Sequence, residues 1–168
     1  MRRNIAIFGR TGSGKSEVSS YLVEKYHYQH CHPGKLCREI SLRLFQSDAK
    51  TILNQVNDAM RAIDPNVWLS AGLRDCSTTM PIVVDGMRFE SNYQLLNSRG
   101  FWLWRVTADA AHRKSRLEER GQTFDWANDT AHPGEIELER RHFQVEIAND
   151  AGRDELRALV DKLMRADE

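Results

Sequence analysis

The chain has 168 residues, with 24 Lys and Arg against 24 Asp and Glu, so its formal net charge is zero. Hydrophobic residues make up 40% and charged residues 29%, which excludes a disordered polar chain and supports one domain large enough to bury a core. The charge balance excludes binding to bulk nucleic acid by positive charge alone, while leaving room for a local basic cleft.

The first apolar run, Asn4 to Phe8, is β-type and ends at Gly9. Lys15 to about Tyr26 reads as a helix with Val18, Leu22 and Val23 on one face. His27 to Gly34 has no clear period and closes on the turn signal Pro33-Gly34. Leu36 to Phe45, Thr51 to Ile63 and Val67 to Cys76 follow as helices, the second stopped by Pro65. Met80 to Asp85 is a buried strand, Asn92 to Ser98 a short helix, and Phe101 to Thr107 a strand. Ala110 to Arg120 is an arginine-rich helix ended by Gly121. Gln122 to Pro133 reads as a polar loop of the length of an active-site lid, and Gly134 to Leu138 as a helical turn. Val145 to Ala148 is the last strand and Arg153 to Met164 a final amphipathic helix. Strands alternating with helices specify an α/β fold in which a parallel sheet is covered on both faces.

The longest apolar stretches, Ile82 to Val84 and Phe101 to Trp104, fall far short of the roughly 20 residues that a membrane helix needs. The apolar run behind Arg2 and Arg3 is too short for a secretion signal. Cys31, Cys37 and Cys76 are an odd number without framework spacing. A cytoplasmic, reduced protein with a single domain over residues 1–168 is therefore expected.

Chemistry concentrates first in Gly9-Arg10-Thr11-Gly12-Ser13-Gly14-Lys15-Ser16, which matches G-x-x-x-x-G-K-[ST] directly between a strand and a helix. Gly9, Gly12 and Gly14 let the backbone fold tightly, so that the N–H groups of Thr11, Ser13 and their neighbours face one anion. The positive helix end behind them reinforces this. Lys15 is expected on the β- and γ-phosphates and the Ser16 hydroxyl on Mg²⁺. Such a loop implies a nucleoside triphosphate but not a reaction.

Asp85 ends the strand beside that loop, where the carboxyl ends of parallel strands receive ligands. It is a candidate Mg²⁺ ligand; alternatively it caps the next turn. Arg88, three residues on, offers its fork to a phosphate in the same crevice.

The phosphate-binding loop, the Asp85-Gly-Met-Arg-Phe89 run with E-S-N-Y-Q-L-L after it, the G-F-W-L-W-R-V strand, the H-P-G-E-I-E-L segment and the closing I-A-N-D resemble phage-type deoxynucleoside monophosphate kinases. These belong to the wider P-loop nucleotide kinase group that includes dephospho-coenzyme A kinase. The resemblance implies a three-layer α/β fold with a parallel sheet and a short lid at about residues 112–135. It also implies acceptor-binding helices at about 35–75, with ATP and Mg²⁺ as cofactors. Arg113, Arg116 and Arg120, which share a helix face, would close over the triphosphate and stabilise transition-state charge. Arg116 and Arg120 are the preferred catalytic pair with Lys15, Arg88 and Asp85; a solvated charged helix is the competing fate. Asn149 resembles a position that contacts adenine. On the acceptor side, Lys35 and Arg38 stand at a helix start, and Arg61, Asp64 and Trp68 cluster at a helix end. Trp68 stacks on a base or packs in the core.

The cluster His27, His30, Cys31, His32 and Cys37 lacks the paired C-x-x-C spacing of structural zinc sites, so no metal is expected there. Residues 25–38 contain no Asp or Glu. A phosphate acceptor is already ionised and needs no base, whereas a hydroxyl acceptor usually needs a carboxylate. The expected partner is thus a small-molecule nucleotide, with a homodimer left open. Transfer to a hydroxyl acceptor, with Asp64 as a base from elsewhere, and a non-catalytic nucleotide switch stay open as alternatives.

Overall fold

Short apolar runs build the centre of the molecule. The computed structural model describes residues 2–131 and 133–166. Its strands are Ile5–Phe8 (β1), Gln29–Cys31 (β2), Ile82–Asp85 (β3), Trp102–Thr107 (β4) and Val145–Ala148 (β5). They form one sheet in the order β2-β3-β1-β4-β5, and every pairing is parallel. The carboxyl ends of all five strands therefore open on one edge. Ile7 lies opposite Asp85, and Cys31 opposite Val84, so the ends of β1, β2 and β3 stand at nearly the same level.

Side chains alternate across each strand, so β1 feeds two cores. Ile5 and Ile7 pack with Val18, Leu22, Trp104 and Val160 under helices Lys15–Tyr26 (α1) and Arg153–Ala166 (α9). Ala6 and Phe8 pack with Val84, Met87, Leu96 and Leu103 on the other face. That face is covered by Val67–Arg74 (α4) and Glu90–Ser98 (α5), which contribute Leu69 and Leu96. The result is the expected three-layer α/β fold with a parallel sheet between helices. Beside the sheet, Pro33–Phe45 (α2) and Lys50–Ile63 (α3) join α4 around Cys37, Val56 and Trp68.

Two elements depart from the sequence expectation. The region read as irregular between Tyr26 and Pro33 contains β2. Helix α1 ends on His27 in the left-handed region, φ 60, with His27 N–H donating to Val23 O and Tyr28 N–H to Leu22 O. Such an end is usually announced by glycine, and here it is not. Strand β2 is short, lies at the sheet edge and buries only Cys31, so it carries no apolar alternation to read. The segment read as a polar loop, Gln122 to Pro133, contains the helix Trp126–Ala131 (α7), preceded by Ala110–Glu119 (α6) and followed by Pro133–Ile136 (α8). Among the described residues, no helix is long and apolar enough to cross a membrane.

Candidate functional site

The loop between β1 and α1 forms the floor of the site. Gly12 has φ 82 and Gly14 φ 106, a region that side chains rarely adopt. A Cβ on Gly14 would stand 2.2 Å from Asn149 Nδ2. That amide donates to Ser13 O at 2.8 Å, so the chain leaving β5 braces the loop from beneath. Arg116 works from the same side, donating to Asn149 O at 2.7 Å and to Gly12 O at 3.4 Å. Lys15 Nζ donates to Gly9 O at 2.5 Å and Arg10 O at 2.9 Å. Burial pulls the Lys15 pKa down to about 8, and the Arg88 charge pushes the same way against Asp85 and Glu135. An ammonium this poorly compensated favours an incoming anion.

Asp85 is 3% exposed at the end of β3. Its Oδ2 accepts from Ser19 Oγ at 3.1 Å and faces His30 Nε2 at 3.6 Å and His32 Nδ1 at 3.7 Å. Burial alone would raise its pKa. The facing imidazoles and the Lys15 charge outweigh burial and hold the carboxyl well below the usual carboxylate range. Ser16, in the first turn of α1, lines the same cleft as Asp85. A hydroxyl and an ionised carboxylate are hard oxygen donors, so this pair fits Mg²⁺. Cys31 faces away from the histidines into the core, and burial pushes its thiol up to about 12.

Two carboxylates from the region after α6 close on this floor. Glu135, in α8, is 2% exposed. It accepts from Thr11 N–H and Thr11 Oγ1, both at 2.7 Å, and from Arg88 Nη1 at 2.6 Å. Burial would raise its pKa, but the Arg88 charge and the Thr11 hydrogen bonds lower it. Asp129, in α7, takes both terminal nitrogens of Arg113, Nη2 at 2.8 Å, and also Arg10 Nη1 at 3.0 Å. Arg113 is therefore engaged with a carboxylate in this structure rather than pointing into open solvent. Arg120 lines the cleft with Gln122 and Phe124. Sequence reasoning gave neither carboxylate a role. Glu135 lies in the H-P-G-E-I-E-L run and could have been found there; Asp129 sits in an unpatterned polar stretch and carries no signal.

A cleft of about 580 Å³ joins this floor to α2, α3 and α4. Lys15, Arg38, Arg61, Arg88 and Arg120 all line it. Arg61 lies 3.4 Å above the centroid of the Phe89 ring. Trp68 lines it as well but is 7% exposed and packs with Cys37 and Val56. Lys35 and Asp64 fall outside the lining: Lys35 is exposed and pairs with Glu39 at 3.7 Å, and Asp64 Oδ1 accepts from Asn66 N–H at 2.8 Å. Asn54, Asn57, Asn66 and Asn92 add amides to the cleft that the sequence did not single out. Amides on a polar helix face have no distinguishing spacing.

No protein-family model matches the chain. A stretch of 61 residues is 38% identical to a cytidylate kinase of Caldicellulosiruptor saccharolyticus; it covers 36% of this chain but only 26% of that protein. In three dimensions the chain is similar to a shikimate kinase from Bacteroides thetaiotaomicron, with TM-score 0.63 and 14% identity over 99% of this chain and 98% of that one. It is also similar to a gluconokinase from Sinorhizobium meliloti 1021, with TM-score 0.60 and 20% identity over 98% and 95%. At these identities the likeness establishes the fold alone, a three-layer α/β fold shared with these two kinases.

Proposed function

We propose that the chain transfers the γ-phosphoryl group of ATP to the phosphate of a deoxynucleoside 5′-monophosphate, as phage-type deoxynucleoside monophosphate kinases do. The observation that carries this is one cleft lined by cations from two directions. Lys15 comes from the phosphate-binding loop, and Arg38 and Arg61 come from α2 and α3. Two anionic substrates need such an arrangement, and an ATP-binding switch needs only the first half of it.

The loop N–H groups and Lys15 would take the triphosphate. Ser16 and Asp85 would hold Mg²⁺, whose chemistry here is to offset charge on the β- and γ-oxygens. Arg88 and Arg120 reach the cleft and would meet the charge of the transferring group. Arg116 and Asn149 keep the loop in shape from beneath. The acceptor phosphate needs no general base, in keeping with the absence of Asp and Glu from residues 25–38. The local identity to a cytidylate kinase supports a nucleotide acceptor.

Transfer to a hydroxyl acceptor is the alternative, favoured by one observation: the His32 ring and the Asp85 carboxylate line the cleft beside Lys15, where they would orient an acceptor hydroxyl by hydrogen bonds. A coupled ADP-release assay separates the two. Turnover is expected with one or more of dAMP, dCMP, dGMP, dTMP or a modified pyrimidine monophosphate. Turnover only with dephospho-coenzyme A or hydroxymethylated DNA would replace the proposal with the alternative.

A further inference from the structure

We propose that His30, His32 and Asp85 form a binding site for one divalent transition-metal ion, of the Zn²⁺ and Co²⁺ class, at the mouth of the phosphate-binding cleft. Two strands build it. On β2 and its continuation, His30 and His32 are two residues apart and share a side, while Cys31 turns into the core. Strand β3 runs parallel beside β2, with Cys31 opposite Val84, so Asp85 is the next residue along on the neighbouring strand.

The three donor atoms, one from each residue, lie within 4.8 Å of one another. Asp85 Oδ2 is 3.6 Å from His30 Nε2 and 3.7 Å from His32 Nδ1. These separations are too long for a good hydrogen bond. They are close to the edge of a tetrahedron around an ion, about 3.3 Å when each donor is about 2.0 Å from the metal. The imidazole rings are near-perpendicular, 85° apart, with centroids at 5.4 Å, so they do not stack. Ser19 Oγ donates to Asp85 Oδ2 at 3.1 Å and fixes the carboxylate, the supporting contact that ligating groups require.

Donor chemistry selects the ion. Two imidazoles and one carboxylate suit Zn²⁺, Co²⁺ or Ni²⁺, whereas Mg²⁺ prefers oxygen alone. Three protein ligands leave a coordination position for water or substrate. His32 and Asp85 line the same cleft as Lys15 and Ser16, so that position faces the substrate space. A second group of similar residues, Asp109, His112 and Asp150, is wholly exposed, and its carboxylates are spent on backbone N–H groups around the start of α6. It has no buried ligand comparable to Asp85; in the first group both histidines are exposed and Asp85 is buried. What the ion would do beside Lys15 depends on the phosphoryl-transfer proposal, in which Asp85 also serves Mg²⁺ so that the two ions would share its carboxylate; the binding of the transition-metal ion without nucleotide or Mg²⁺ does not depend on it.

The test is titration of the full chain with ZnCl₂ by calorimetry, and with CoCl₂ by visible absorption, both without nucleotide. One ion per chain is expected, with Co²⁺ bands of four- or five-coordinate intensity. His30→Ala and His32→Ala should each weaken Zn²⁺ binding at least about tenfold while keeping the far-ultraviolet circular dichroism of the parent. His112→Ala should bind as the parent does. Absence of heat and of Co²⁺ bands, or binding that survives both histidine substitutions, would overturn the site. Because no nucleotide is present, failure of every phosphate acceptor in the ADP assay would remove the phosphoryl-transfer proposal alone.

Discussion

Asp129→Ala removes the carboxylate that holds α7 against α6 and the phosphate-binding loop. The Arg113 and Asp129 side chains are 5% and 6% exposed, so the substitution strands a buried guanidinium. Breaking a buried pair from one side costs about 3–5 kcal/mol. Arg113 keeps bonds to Ala108 O at 3.2 Å and Thr11 O at 3.4 Å, which places the loss near the lower limit. For a chain of this length, about 3 kcal/mol corresponds to a fall in Tm of roughly 6–12 °C. Thermal unfolding followed by circular dichroism at pH 7 measures it. The double variant Arg113→Met, Asp129→Leu removes both charges and should recover much of the loss. A Tm for Asp129→Ala within 2 °C of the parent would refute the idea that this pair anchors the region after α6.

Acid should act on the same carboxylates. Asp129 and Glu135 are depressed below their ordinary values of 3.8 and 4.5, so the unfolded chain binds the extra protons first. Their stabilisation is complete above those values and is lost as pH falls through the depressed ones; Tm measured from pH 7 to pH 3 should drop at the acid end, and less steeply in Asp129→Ala. Lys15 has the opposite sign. Its folded pKa of about 8 lies below the ordinary 10.5, so affinity for pyrophosphate should fall as pH rises above about 8, and calorimetry on Lys15→Ala should show weak binding at every pH. Gly14→Ala meets Asn149 at 2.2 Å and forces alanine to φ 106, so ATP affinity should fall at least about tenfold with little change in far-ultraviolet circular dichroism.

The parts of the molecule that were legible in the sequence are those whose chemistry is local. The loop from Gly9 to Ser16 declares itself because its glycines, lysine and serine must occupy fixed positions to surround an anion. The strands β1 and β3 declare themselves because burial on both faces demands apolar runs. Strand β2 is held by its backbone pairing with β3, and its Gln-His-Cys sequence says nothing of that. Helix α7 is stabilised by Arg113 and Arg10 from distant segments, a tertiary cause invisible in Trp126–Ala131 itself. The site follows the same division. Asp85 and Arg88 could be placed from the strand end, whereas the convergence of His30 and His32 on Asp85 depends on the register of β2 against β3. The cysteines in the His27 to Cys37 cluster obscured that pair, although Cys31 faces the opposite side of the sheet.

The central claim is that an acceptor phosphate, and not a hydroxyl, receives the phosphoryl group. Phosphorus-31 magnetic resonance of the product formed from ATP, Mg²⁺ and a deoxynucleoside monophosphate tests this directly. The proposal predicts that the deoxynucleoside monophosphate singlet is lost while paired doublets grow for two diphosphates in equal amounts, the ADP released and the new deoxynucleoside diphosphate, with neither formed by Lys15→Ala. A new phosphomonoester signal from a hydroxyl acceptor, with the monophosphates unchanged, would contradict it.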